Sequence, residues 1–319
     1  MKKLTKKYSV QLAGLLLLLA LLPVSCIKDD YAAKEKATVQ VTFTTRAISG
    51  SSDTDANTLE EYEHMRTLRV IVARANDILY NVKYDIAENE TSKTITFSEL
   101  TVDKAGEDFD FYAIANEVGT EYSDWESVSV ETLNSRSLRN IATLNDGNTL
   151  IPQTAKATIH VVPGNSDDTT IQLQFAVAKV RLTINNTSTE SQTVSDIKLS
   201  GVNMTSTPLF AEKNLSTENN GSVDLGDMVI SGMDSKTVYA YFYENQNSSG
   251  YNLTALWKKD QTLPLQIGSD DNKQLITEIP RGKMLDINVT LNADVDINPT
   301  IQVQVNEWIG KTINVPPFK

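Results

Sequence analysis

The sequence predicts a mainly β protein built as two tandem β-sandwich domains with a few short helices, and three observations carry that prediction. Apolar and polar residues alternate with period two over many short segments, turn-forming clusters separate those segments, and about 290 residues follow an export leader, enough for two domains of ordinary size. The composition, 40% hydrophobic and 22% charged, is that of a globular chain.

The leader comes first. Lys2, Lys3, Lys6 and Lys7 precede LAGLLLLLALLPVSC (12–26), so a basic start, an apolar run and a cysteine stand in the order a lipoprotein signal requires. The uncharged run from Leu12 to Val24 is 13 residues, short of the roughly 20 needed to cross a bilayer as a helix. Residues 1–25 are therefore read as a lipoprotein signal peptide and Cys26 as the lipidated new N-terminus, although Pro23 stands where the usual lipobox has a branched apolar residue. Lys28, Asp29 and Asp30 resemble the lysine-plus-acidic tag that sends some Gram-negative lipoproteins to the outer leaflet. Loss of the leader's four lysines moves the formal charge from -12 to -16, which disfavours nucleic acid and anionic lipid as partners. Cys26 is the one cysteine, so no internal disulfide can form and stability must come from buried area.

A polar stretch, residues 27–37, links the lipid to the fold, and order begins with TVQVTFT (38–44), whose Val39, Val41 and Phe43 share one face. The alternation recurs in TITF (94–97), DFDFYAIAN (108–116), TIQLQFAVAKVRLTIN (170–185), VYAYFYEN (238–245), LDINVTLN (285–292) and TIQVQVNEW (300–308). Between them NDGN (145–148), PGNSDD (163–168), NNG (219–221) and GSDDN (268–272) read as tight β connections. Leu133, Leu138, Ile141 and Leu144 fall mostly at helical spacing, predicting a short helix over one sheet, and Glu60, Glu61 and Glu63 suggest another helical turn. The division places a lipidated propeptide with the first strand at 26–46, an N-terminal domain at 47–168 and a C-terminal domain at 169–319.

Chemistry-bearing patterns are sparse. With His64 and His160 the only histidines, a cysteine–histidine zinc site cannot be built, and no G-x-S-x-G elbow, glycine-rich phosphate loop or dinucleotide fingerprint occurs. Asp53, Asp55 and Asn57 start like a calcium loop, but Thr58 replaces the glycine and His64 the glutamate; Asp294, Asp296 and Asn298 have less context still. Both are read as solvated loops, and no metal, cofactor or catalytic residue is assigned. Trp125, Trp257 and Trp308 are scattered, and Tyr239, Tyr241, Phe242 and Tyr243 are explained by packing.

FYAIAN (111–116), IPQTA (151–155), AVAKVRLTI (176–184), YAYFYEN (239–245), IPRGKMLDINVTL (279–291) and VQVNEWIGKTI (303–313), in this order behind a lipoprotein leader, resemble the fimbrillin family that builds type V pili. Arg281-Gly282 departs from that family's usual arginine-asparagine pair. The resemblance implies transthyretin-like sandwiches and a surface fimbrium that supports adhesion, its lipoprotein precursor reaching the outer membrane. It further implies that an arginine-specific protease cuts after Arg46, before Ala47, and that a strand from another subunit fills the groove left by the first strand. The C-terminal arm offers donor residues, Ile301, Val303 and Val305 in one row and Ile313 with Val315 in another, while the first row also suits a closing strand of its own domain. Partners would be other copies of the chain and other fimbrial subunits. An anchor subunit that keeps its lipid and first strand is the alternative, and a glycan-binding surface lipoprotein a more distant one.

Overall fold

The computed structural model describes residues 34–45, 59–88, 90–164, 166–212, 214–257, 261–262, 265–269, 274–291 and 300–307. The leader, Cys26, Arg46, Ala47, both calcium-like loops, Trp308, Ile313 and Val315 lie outside them.

The first body contains β1 (Glu35–Thr45), β2 (Thr67–Arg74), β3 (Asp77–Asp85), β4 (Ser92–Val102), β5 (Glu107–Ala115), β6 (Gln153–Val161) and β7 (Ser166–Phe175). They form one path in the order β3-β2-β5-β6-β7-β1-β4. That path folds at a corner, since β6 and β7 pair only at Gln153–Phe175 and Thr154–Gln174. The two halves face each other as a sandwich. Ala37, Val39, Val41 and Phe43 of β1 share a core with Leu68, Val70 and Val72 of β2, Ile95 and Phe97 of β4, and Phe109 and Phe111 of β5. Each is an alternate residue of its strand, as a sheet with one buried face requires.

The second body contains β8 (Ala178–Asn186), β9 (Gln192–Val202), β10 (Gly221–Ile230), β11 (Ser235–Phe242), β12 (Tyr251–Trp257), β13 (Leu265–Ser269), β14 (Lys283–Leu291) and β15 (Thr300–Glu307). Sheet β11-β8-β14-β15 packs on sheet β10-β9-β12-β13, enclosing Val180, Leu182, Ile184, Leu199, Leu253, Trp257, Leu285 and Ile287. The mainly β class and its sandwich architecture agree with the sequence prediction.

The details differ in three places. The alternation over 170–185 is two strands, broken at Ala176-Val177, where the chain passes from the first sheet to the second body. The inward row changes phase there, from Ile171, Leu173 and Phe175 to Val180, Leu182 and Ile184, inside a continuous apolar run from Phe175 to Ala178 that masks the break. Residue 168, the expected division, lies inside β7, and β7 is held in the first sheet by a ladder with β1. The expected helix is two short ones, α1 (Val130–Ser135) and α2 (Ile141–Leu144), because Ser137-Leu138 leave the helix to pair with Thr207-Pro208. The acidic segment forms the expected turn, a 3-10 helix at Glu61–Glu63.

Gly282, which stands where the resembling family has asparagine, has φ +67° and donates its N–H to the Val177 carbonyl at 2.9 Å. A Cβ there would meet nothing nearer than 3.7 Å, so the constraint is conformational, and asparagine tolerates this left-handed region as glycine does. Gly282→Val is expected to lower stability by about 1–2 kcal/mol and Gly282→Asn by less than half of that, read from urea midpoints.

Candidate functional site

The first strand occupies the middle of its half-sandwich. Along one edge β1 runs parallel to β7, from Thr38 opposite Ser166 to Thr45 opposite Leu173. Along the other it runs antiparallel to β4, from Glu35 opposite Val102 to Thr44 opposite Ser92, with a bulge between Ala37 and Val39. Its inward residues Val41 and Phe43 are 0% exposed and Ala37 and Val39 2%. The outward row is polar, with Thr42 Oγ1 2.9 Å from Thr94 Oγ1 on β4.

Both ends are fixed. At the start, Glu107 accepts from Lys34 Nζ at 2.8 Å and from Arg74 Nη1 at 2.9 Å. The Lys34 bond, reinforced by Arg74 and opposed by partial desolvation, holds the Glu107 carboxyl below its ordinary range. That bridge is present above the range in which a free carboxylate titrates and is lost as pH falls through the lowered value. A second, exposed pair joins Lys36 to Glu99 at 2.6 Å. At the far end the Thr45 N–H donates to the Thr91 carbonyl at 2.9 Å, one residue before Arg46 in the sequence.

Burying a large apolar side chain contributes about 1.5–3 kcal/mol, so Val39, Val41 and Phe43 together contribute roughly 5–9 kcal/mol before any hydrogen bond is counted. Whole domains are stable by about 5–15 kcal/mol. The first sandwich therefore depends on an occupant in this groove.

The junction between the two bodies is held by different residues. Glu63, wholly buried, accepts from Lys179 Nζ of β8 at 2.6 Å and from the Tyr241 hydroxyl of β11 at 2.5 Å. Burial pushes the Lys179 ammonium down, against the pull of Glu63, and pushes the Tyr241 hydroxyl up. The segment carrying Glu63 is also bonded through its backbone, from Ile151 N to Tyr62 O at 2.8 Å and from Gln153 Nε2 to Glu63 O at 3.0 Å. A second node, Arg281, lies within the second body: its Nε donates to Glu244 at 2.7 Å, Nη2 to Thr207 Oγ1 at 2.9 Å and Nη1 to the carbonyl of Leu209 at 3.1 Å, and Leu209 in turn accepts from Thr154 and donates to the Arg136 carbonyl of the first body. Around them α1, α2, Leu209, Phe210, Tyr241 and Tyr243 form a third apolar cluster. The guanidinium of Arg136, just after α1, lies 4.2 Å from both the Tyr122 and Trp125 ring centroids. The first strand takes no part in these contacts, so the junction can persist when the groove is emptied.

Of the proposed donor residues, Ile301, Val303 and Val305 fall on β15, which pairs antiparallel with β14 of its own body, Val305 opposite Leu285 and Ile301 opposite Val289. β15 is the last strand of that sheet and carries one ladder where β1 carries two. Val305 is 37% exposed, against 0% for Phe43. The side chains of Ile301 and Val303 lie outside the described residues. Trp125 and Trp257 are buried, as are Tyr241, Phe242 and Tyr243, whereas Tyr239 is 37% exposed. His160 engages Asp108 through Nδ1 at 2.7 Å and the Ala105 carbonyl through Nε2 at 3.1 Å, so neither ring nitrogen faces a nucleophile. Among the described residues no three histidine, cysteine, aspartate or glutamate side chains gather as a metal site would require, and no helix is long and apolar enough to cross a membrane.

Sequence reasoning missed both junction nodes. Glu63 and Arg281 are single charges in otherwise ordinary stretches, and only their partners mark them as buried.

Two substitutions separate groove from junction. In the uncut chain Phe43→Ala is expected to cost about 3–5 kcal/mol through a core cavity. Glu63→Ala, which strands a buried ammonium, is expected to cost a similar 3–5 kcal/mol. Hydrogen exchange should locate the first loss in β4 and β7 and the second at the junction.

No family model matches the sequence, and no curated protein does either. Solved structures do match in fold. A C-terminally truncated form of the tip fimbrial protein Mfa3 from Porphyromonas gingivalis superposes with a TM-score of 0.59 at 13% identity, covering 86% of this chain and 100% of that one. The fimbrilin FimA from Porphyromonas gingivalis W83 gives 0.53 at 12% identity over 86% and 98% of the two chains. A candidate cell adhesion protein from Parabacteroides distasonis gives 0.55 at 15% identity over 85% and 97%. These proteins are fimbrial or adhesive rather than enzymatic by description. Over most of its length, then, the chain has the β-sandwich fold of fimbrial subunits, the fold its sequence motifs resemble.

Proposed function

We propose that the protein is a structural subunit of a surface fimbrium, exported as a lipoprotein through Cys26, held at the outer membrane as a precursor and matured by an arginine-specific protease between Arg46 and Ala47. The observation that carries this reading is the place of β1, a strand laddered on both edges whose last residue, Thr45, directly precedes Arg46. Cutting there severs the one strand whose departure opens an apolar groove, while the segment anchored at Tyr62 and Glu63 keeps the remaining chain attached to both bodies.

Polymerisation then follows from strand counting. A donor leaving the edge of its own sheet, as β15 would, breaks one ladder, and on entering the vacated groove of a neighbour it forms two. Ile301, Val303 and Val305, or Ile313 and Val315 beyond them, supply the alternating side chains. Donor and acceptor are different surfaces, so the contact is head-to-tail, and repeated through this chain and other fimbrial subunits it generates an open filament. The fold of the fimbrial neighbours supports this reading, and adhesion would be exerted by the assembled fimbrium. The second reading, an anchor that retains lipid and first strand, is favoured by the tight fixing of β1 at both ends.

N-terminal sequencing of protein from sheared surface filaments decides between them. The stalk reading expects a start at Ala47; recovery only as a membrane-bound form beginning at lipidated Cys26 would sink it. Arg46→Ala is expected to leave export intact and to abolish polymerisation, so normal filaments in that variant would remove the cleavage step.

A further inference from the structure

Resting on the reading that β1 vacates its groove, we propose that this groove accepts a strand from a different polypeptide and discriminates against a second copy of this chain. The partner segment it fits has a lysine or arginine three residues ahead of a small plug, followed by two branched plugs and an aromatic one at alternate positions.

The requirement is written in what the groove holds. Ala37, Val39, Val41 and Phe43 are the inward residues, graded from small to aromatic, and Phe43 is wholly buried within the core shared with Phe97, Phe109 and Phe111. The entrance is acidic. Glu107 is bonded to both Lys34 and Arg74, and Glu99 to Lys36, so departure of the strand removes a cation from each carboxylate while Arg74 stays with Glu107. An occupant must therefore restore aromatic volume at one end and positive charge at the other.

The chain's own C-terminal segments do neither. TIQVQVN (300–306) matches TVQVTFT (38–44) in its first Thr, its Gln and its second apolar Val, so the backbone pattern fits with Ile301 at Val39 and Val303 at Val41. That register puts Val305 in the place of Phe43 and Asp296 in the place of Lys34, beside Glu107. Sliding two residues on puts Glu307 in the Phe43 pocket, a charge in an apolar core. Placing Ile313 at Val39 and Val315 at Val41 brings Pro316 and Pro317 to the places of Thr42 and Phe43, ladder positions where proline has no N–H to donate. Each of these three registers leaves the aromatic pocket underfilled or wrongly filled, and the registers that bring Trp308 or Phe318 to it put Gln304 and Asn306, or Asn314 and Pro316, in the places of Val39 and Val41. Discrimination by volume at a buried pocket and by like charge at its mouth acts against the self-strand without any clash in the backbone.

The test uses the full chain cut after Arg46 by an arginine-specific protease, with labelled synthetic peptides followed by fluorescence anisotropy. The peptide of residues 33–45 is expected to bind at least about tenfold more tightly than that of residues 294–307. Asp296→Lys with Val305→Phe in the second peptide should recover most of the difference. Equal binding of the two unmodified peptides, or filament growth from the cut chain alone, would overturn the selectivity. A cut chain that neither releases its strand nor binds any peptide would instead overturn strand exchange itself.

Discussion

A β-strand in the middle of a sheet must be hydrogen-bonded along both edges, and in this protein one strand alone ties β4 to β7. The corner at Gln153 and Thr154 joins β7 to the other half of the sandwich by its last residues only, and β4 ends the sheet. Every other feature of the first body follows from that dependence. Without an occupant between them, β4 and β7 each lose their principal ladder, and the row of pockets under Val39, Val41 and Phe43 opens to water. Exposing that apolar row costs about 1.5–3 kcal/mol for each large side chain.

The junction is built to be indifferent to that event. One buried ionic node, Glu63 with Lys179, crosses directly between the bodies; the other, Glu244 with Arg281, lies within the second and fixes the Thr207–Leu209 segment, which bonds Arg136 and Thr154 of the first, and neither touches β1. Buried pairs gain little net stability, because desolvation offsets most of the Coulomb attraction, but a misplaced partner leaves an uncompensated charge. Their effect is thus to make one relative placement of the two bodies far better than its neighbours. Apolar packing alone, which tolerates sliding, would fix that placement less sharply, and under the proposed function such stiffness would serve a subunit that carries load along a filament.

How much of this was legible in the sequence depended on whether the signal was local. Alternation at Val39, Val41 and Phe43, at Phe109 and Phe111, and at Ile287 and Val289 is set by strand geometry, so these strands and their inward faces could be read directly. The break at Ala176-Val177 could not be placed, because the inward row changes phase, from Ile171, Leu173 and Phe175 to Val180, Leu182 and Ile184, inside the unbroken apolar run from Phe175 to Ala178. Nor could the burial of Glu63 or the five hydrogen bonds of Arg281 be read, since each charge is stabilised in the interior by partners more than thirty residues away, and one chain of letters does not say which. Leu133, Leu138, Ile141 and Leu144 do point into one apolar cluster, as their spacing suggested, but the pairing of Ser137-Leu138 with Thr207-Pro208 prevents a continuous helix.

The absence of a second cysteine then acquires a physical meaning. A filament joined by surface contacts would separate under load contact by contact, whereas a strand seated between two ladders must break both, along with its buried side chains, before it is free. Under the proposed exchange, resistance to dissociation lies in that unfolding-like barrier, and kinetic stability of this kind needs no covalent cross-link. The same barrier would protect the proposed precursor: while β1 is seated, its buried face is closed to a competing strand. Proteolysis beside Thr45 would not by itself dislodge eleven laddered residues, so a donor would have to enter as the old strand leaves. Groove selectivity therefore matters during displacement, when a partial occupant that fails to fill the Phe43 pocket or to satisfy Glu107 is expelled by the strand it is meant to replace.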